Sequence, residues 1–152
     1  MTKNLDKDGL SSIVDNYQLF YVDLWGVVHN GISLHAEAIK ALKEITKKKK
    51  DYILLTNAPR PNYAVKSFLE KLGMEKEIRD HVFTSGEAAL LYLNKNLLGQ
   101  TFFHVGPPRD FDLFKNFEKM KLNNIEKSEY ILCTGLFDDH HDDLRYYKNL
   151  FE

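Results

Sequence analysis

Apolar residues fall along this chain in short unbroken runs separated by helix-period stretches. Leu19-Phe20-Tyr21-Val22 is four apolar residues running directly into Asp23. Such a run predicts a strand buried on both faces of a parallel sheet. Gly26 and Gly31 bracket a loop after it, and residues 35–47 place Ala38, Leu42 and Ile45 near one face of an amphipathic helix. Tyr52-Ile53-Leu54-Leu55 predicts a second buried strand that ends at Thr56-Asn57, where Pro59 and Pro61 break the chain. A helix is expected over 62–72, stopped by Gly73. A short third strand, Val82-Phe83, ends at Thr84-Ser85-Gly86, and a helix follows over 87–96.

The pattern resumes after Gly99. Thr101 to Val105 reads as a strand closed by Gly106-Pro107-Pro108, and residues 110–120 as a helix. Tyr130 to Cys133 is a further strand ending at Thr134-Gly135, and a last helix starts near Asp142. Phe111, Phe114 and Phe117 share helical spacing and read as core. No repeat is present, and Lys47 to Lys50 reads as the solvated end of a helix, where cations suit the dipole. Strands alternating with helices predict an α/β fold with a mostly parallel sheet, in which ligands bind beyond the carboxyl ends of the strands. The polar residues Asp23, Thr56, Asn57 and Thr84 to Gly86 gather at those ends.

Composition narrows the function classes. The chain has 152 residues, 43% hydrophobic and 28% charged, so it is long enough for a core and too apolar for disorder. A net charge of -1 gives no field for nucleic acid or an anionic membrane. The single cysteine, Cys133, excludes an internal disulfide framework and suits a reducing compartment. Met1 to Asp6 begins no apolar signal segment, and no run is long enough to span a bilayer. The expectation is a cytoplasmic protein.

A carboxylate just past a buried strand, like Asp23, serves as metal ligand, nucleophile or turn cap, and its position alone leaves all three open. The Gly26 and Gly31 loop favours function, because glycines let backbone N–H groups approach an anion. Thr56 with the Asn57 amide is suited to a phosphoryl oxygen, or to its own turn. Paired with Asp23 they make a candidate phosphoryl-transfer pocket. Arg60 and Arg109 are further candidates for substrate, although a lone arginine is more often surface. No G-x-G-x-x-G follows the first strand, which disfavours a dinucleotide site.

Tyr21 to Gly31 resembles the first motif of the haloacid dehalogenase (HAD) superfamily, and Ile53 to Arg60 its second. Val82 to Ala89, His104 to Pro107 and Tyr130 to Leu136 resemble later stretches of its class IIA branch, the sugar-phosphatase and nitrophenyl-phosphatase-like members. The resemblance implies a HAD-like parallel sheet flanked by helices. Residues 1–98 would be the N-terminal part of the core and 99–152 the first part of an inserted α/β cap. It implies a Mg²⁺-dependent phosphatase acting on a small phosphorylated substrate. Asp23 would be the nucleophile, and Mg²⁺ would be held by Asp23 and the backbone carbonyl of Trp25. Thr56, Asn57, Gly26 and Arg60 would hold phosphate or substrate.

Two departures stand out. Trp25 occupies the position where most relatives carry a second, proton-donating Asp, leaving His29 as the nearby candidate donor, against the usual surface role of a loop histidine. The later Lys and acidic motifs are not read after Thr56. The chain by itself is therefore expected to be inactive and poorly soluble, with an exposed sheet edge that leaves homo-oligomer formation open. The alternative reading is a non-catalytic module that binds phosphorylated ligands or self-associates. Asp138 to Asp143 reads as the entry to a helix, where carboxylates suit the dipole, rather than as a metal cluster.

Overall fold

A computed structural model describes residues 5–152; the first four residues of the amino-terminal stretch read above lie outside the described part. The elements run α1 (Leu5–Asp8), β1 (Leu19–Asp23), α2 (Ala36–Lys47), β2 (Asp51–Thr56), α3 (Asn62–Lys71), α4 (Lys76–Arg79), β3 (Val82–Thr84), α5 (Ser85–Asn94), β4 (Phe102–Val105), β5 (Lys121–Leu122), β6 (Tyr130–Cys133) and α6 (Leu144–Phe151). Two compact units result. One holds residues up to Asn57 together with Asn62–Thr84, the other Ala58–Pro61 with Ser85–Glu152.

The first unit is a parallel sheet in the order β1-β2-β3. Each crossover steps the same way, and right-handed crossovers then set α2 and α3 on one common face. That face is dry. Tyr52, Leu54, Val82 and Thr84 are buried under Leu42 and Ile45 of α2 and Val65 and Leu69 of α3. On the opposite face the register aligns Tyr21 with Ile53, and Asp23 with Leu55 and Phe83. There Leu19, Tyr21, Leu55 and Phe83 are exposed. The expectation that β1 is buried on both faces is thus corrected. Its side chains alternate between half-buried and exposed, and among the described residues the long helices α2 and α3 bury their apolar residues on the other face.

The second unit has the parallel order β5-β4-β6. Its core is Phe102, Leu113 and Phe114, with Leu90 of α5, Phe111 and Phe117 packed against it. The helix expected over 110–120 is instead two 3₁₀ turns, Pro108–Leu113 and Lys115–Met120, broken at Phe114. A three-residue spacing of phenylalanines satisfies a 3₁₀ turn as well as an α-helix, and Phe111 meets Phe114 edge to face at 5.3 Å. The core role of these rings holds in either geometry. The two-residue strand β5 and the single-turn α4 are too short to carry a period and were not foreseen.

Candidate functional site

The three strands of the first unit end on Asp23, Thr56 and Thr84. All three run parallel, so these residues share one edge of the sheet, the carboxyl edge. Asp23 is exposed there, and its Oδ1 accepts the Leu24 N–H at 2.8 Å. Leu24 is buried and ties the chain to the next strand through its N–H to the Leu55 carbonyl, 3.1 Å. The carboxylate therefore stands on a rigid support at an exposed position. Thr56 is half-buried and Asn57 exposed.

The loop after Asp23 is a closed turn system. The Val28 and His29 N–H groups both donate to the Leu24 carbonyl, at 2.9 and 3.1 Å. The Gly26 N–H donates to the His29 carbonyl at 2.8 Å, with Gly26 at φ 77°. A side chain there would meet only open space, so the glycine serves the turn, and its N–H is committed within the loop. Asn30 Oδ1 accepts from Ile32 and Ser33 N–H at 2.9 and 2.8 Å, which turns the chain at the Asn-Gly pair. Trp25, Val27 and Ile32 project into solvent from this loop.

His29 departs from the surface role expected of a loop histidine. It is buried, its ring lies edge-on to Phe68 at 5.5 Å, and its Nδ1 accepts the Gly31 N–H at 3.0 Å. Burial, reinforced by His35, holds its pKa below the ordinary 6.5, against the opposing pull of Asp23. The lowered pKa favours the neutral form of this packed ring, and the expected surface position is corrected.

The Thr84-Ser85-Gly86 stretch is spent on the loop that follows β2. The Thr84 N–H donates to Asn62 Oδ1 at 3.0 Å. Ser85 Oγ and the Gly86 N–H both donate to the Ala58 carbonyl, at 3.0 and 3.2 Å. Sequence reasoning missed Asn62 in this role; its place as the first residue of α3 was the available signal.

Arg60 lies in the second unit, with Nε 3.9 Å from Oδ1 of the buried Asp110. Arg109 pairs with Asp139 at 2.7 Å on the surface. The acidic stretch is a helix entry as read. Asp143 caps α6 by accepting the Tyr146 N–H, and Asp138 accepts from His140 N–H and meets His141 Nδ1 at 2.7 Å. Among the described residues no three His, Cys, Asp or Glu side chains gather to hold a metal. None of the described helices is long and apolar enough to cross a membrane.

Residues 20–119 match the family described as haloacid dehalogenase-like hydrolase. The chain is similar to a solved haloacid dehalogenase-like hydrolase from Brucella suis 1330, with 32% identity and a TM-score of 0.77 over 93% of this chain and 51% of that one. It shares its fold with a 4-nitrophenylphosphatase from Thermotoga maritima (20% identity, TM-score 0.63, 91% of this chain and 51% of that one). The same holds for a glycerol phosphate phosphatase from Mycobacterium tuberculosis in complex with magnesium (18% identity, TM-score 0.61, 91% and 42%). The chain thus spans about half the length of these structures. No curated protein matches it by sequence.

Proposed function

Since the chain belongs to the haloacid dehalogenase-like hydrolase family, we propose that it is the part of a phosphatase that carries the nucleophile. Asp23 attacks phosphorus and forms an aspartyl-phosphate. Thr56 and the Asn57 amide hold the phosphoryl group, Gly26 shapes the turn beside it, and Arg60 contacts substrate. The observation that carries this reading is the exposed Asp23 carboxylate ending β1 beside Thr56 ending β2, inside the family-matched segment.

Mg²⁺ is the cofactor in this reading. The Asp23 carboxylate and the Trp25 carbonyl are the residues that would hold it, and this all-oxygen pair fits a hard cation that keeps several waters. When bound, the ion neutralises charge on the phosphoryl oxygens. The substrate is a small phosphorylated molecule, with no role for nucleic acid or membrane, and the setting is the cytoplasm, which suits the free, exposed Cys133. Residues 1–98 as core and 99–152 as the start of a cap belong to the same proposal, as does inactivity of the 152-residue chain alone, since no later Lys and acidic motif is read in it.

The test is Asp23→Asn in the complete protein. Turnover and the phosphoenzyme should both vanish; activity that survives rules Asp23 out as nucleophile. A second reading, a self-associating module, draws on the exposed apolar face of β1, β2 and β3 and is tested by the oligomeric state below.

A further inference from the structure

Asn30-Gly31 is the only Asn-Gly pair in the chain. In such a pair the backbone nitrogen of the glycine can reach the side-chain amide carbon of the asparagine, because no Cβ stands beside that nitrogen. Three things oppose the attack. The peptide N–H holds its proton tightly, the amide carbonyl is a poor electrophile, and a free side chain seldom lies along the following peptide. The loop after Asp23 acts on all three. The Gly31 N–H donates to His29 Nδ1 at 3.0 Å, so a ring nitrogen with a free electron pair sits on the proton that must leave. The Ile32 and Ser33 N–H groups donate to Asn30 Oδ1 at 2.9 and 2.8 Å, with the Ser33 hydroxyl at 3.4 Å. Donors in that position steady the charge that builds on a carbonyl oxygen under attack. The same bonds hold the Asn30 side chain forward along the chain. Gly31 stands at φ 88°, so the turn that needs asparagine for its side-chain bonds also needs glycine after it. Asn30 is exposed, which gives water access to the amide.

We propose that Asn30-Gly31 is a self-modification site: in the folded protein the Gly31 nitrogen attacks Asn30 Cγ, ammonia leaves, and the resulting cyclic imide opens to an aspartate or isoaspartate at position 30. This is independent of the phosphatase reading. In the first step the bond from Gly31 N to Asn30 Cγ forms and the N–H proton passes to His29 Nδ1. The Cγ–Nδ2 bond breaks, and the nitrogen departs as ammonia with a proton from water. The hydroxide left behind takes the proton back from the imidazole, so His29 is restored. In the second step water adds to one of the two imide carbonyls and its bond to the Gly31 nitrogen breaks. Opening at Cγ gives aspartate. Opening at the backbone carbonyl carbon gives isoaspartate, with the main chain routed through the former side chain. Water is the only reagent besides the chain. The isoaspartate lengthens the backbone inside the turn, where the Asn30 N–H donates to the Ser33 carbonyl at 3.2 Å and His29 bridges to Leu34. Both pairings lose their register, and the loop that follows Asp23 loosens.

The test incubates the complete protein at neutral pH, once folded and once in concentrated urea, and follows position 30 by peptide mass mapping and by isoaspartate-specific methyl transfer. Urea keeps the Asn-Gly sequence and removes His29 and the two N–H donors from their places. Conversion at position 30 should be faster in the folded protein by about tenfold or more, below what a placed base alone can supply. His29→Asn keeps an oxygen for the Gly31 N–H and removes the ring nitrogen, so its folded rate at position 30 should fall by about tenfold or more. Circular dichroism shows whether that variant is folded. Equal rates for the wild-type protein folded and in urea overturn the proposal, because the reactivity then belongs to the sequence alone. A slower folded rate also overturns it and makes the turn a protection for Asn30. An unchanged rate in folded His29→Asn overturns the assisted first step. The wild-type comparison decides the matter where the variant does not fold.

Discussion

The backbone N–H of Gly31 donates to Nδ1 of His29 at 3.0 Å, and this bond closes the loop that follows Asp23. It makes the imidazole a structural part. Removing it leaves a half-buried donor without its acceptor and a hole against Phe68. His29→Ala should therefore destabilise the protein by about 1–3 kcal/mol. His29→Asn, whose Oδ1 sits near the place of Nδ1, should recover part of that loss. Chemical denaturation of the three proteins checks this. An alanine variant with wild-type stability would show that the bond carries no weight.

Gly86 and Arg60 are in the closest contact that the second unit offers a glycine's missing side chain to backbone atoms. A Cβ on Gly86 would lie 2.4 Å from the Arg60 nitrogen and 2.5 Å from its carbonyl oxygen. Backbone cannot rotate aside as a side chain does. Gly86→Ala should cost about 1–3 kcal/mol, as overpacking does elsewhere. It should do so even though alanine is the better helix former by about 1 kcal/mol. An unchanged melting temperature for Gly86→Ala would mean that the Arg60 loop yields freely.

The parallel sheets were legible because unbroken apolar runs at 19–22 and 52–55 end in turn residues, and only a few folds use that pattern. Exposure of Tyr21 and Leu55 was not legible. Their side chains record suitability for burial, and nothing local to β1 or β2 says whether a neighbour lies over them. The placement of Asp23 and Thr56 at strand ends was legible because polar residues there stand out against the runs before them. The burial of His29 was hidden, since its environment comes from Phe68 on α3, distant in sequence. Gly86 was read only as part of the polar strand end after Val82-Phe83, and its packing role was hidden for the same reason. Its role is set by the backbone of Arg60, which no local pattern announces.

Acid should weaken the second unit through His104. Its ring is buried, and its Nε2 meets Thr134 Oγ1 at 2.9 Å. Burial first, then Lys121, holds its pKa below the ordinary 6.5, while Asp110 pulls the other way. The unfolded chain then binds the proton more readily, so stability rises with pH in this range. Its contribution is complete above 6.5 and fades as the pH falls from there toward the lowered folded value. His29 acts in the same direction and window, whereas Asp138 and Asp142, held below 3.8, give way only in stronger acid. Melting temperatures from about pH 8 to about pH 5 should fall, and His104→Gln, which keeps a polar atom near Nε2, should flatten the slope. Equal slopes in the two proteins would remove His104 from the account.

The uncovered face of the first sheet predicts how the 152-residue chain behaves alone. Leu19, Tyr21, Leu55 and Phe83 lie exposed on neighbouring strands, brought level by the register of Asp23 with Leu55 and of Leu55 with Phe83. Beside them β1 is, among the described residues, the outermost strand on its side of the sheet, and an outermost strand is a template for pairing with another chain. A contiguous apolar patch of this kind gains about 25 cal/mol for each Å² removed from water, so a second copy is an available cover. Sedimentation of the isolated chain should show association that grows with concentration, together with binding of a hydrophobic dye. Leu55→Lys sits at the centre of the patch, where its charge faces water in the monomer and apolar surface in any associated form. It should shift the chain toward monomer and reduce dye binding without lowering the melting temperature by more than about 0.5 kcal/mol in equivalent stability. A wild-type chain that stays monomeric and binds no dye would show that the face is tolerated bare, and would also remove the support for the self-associating module.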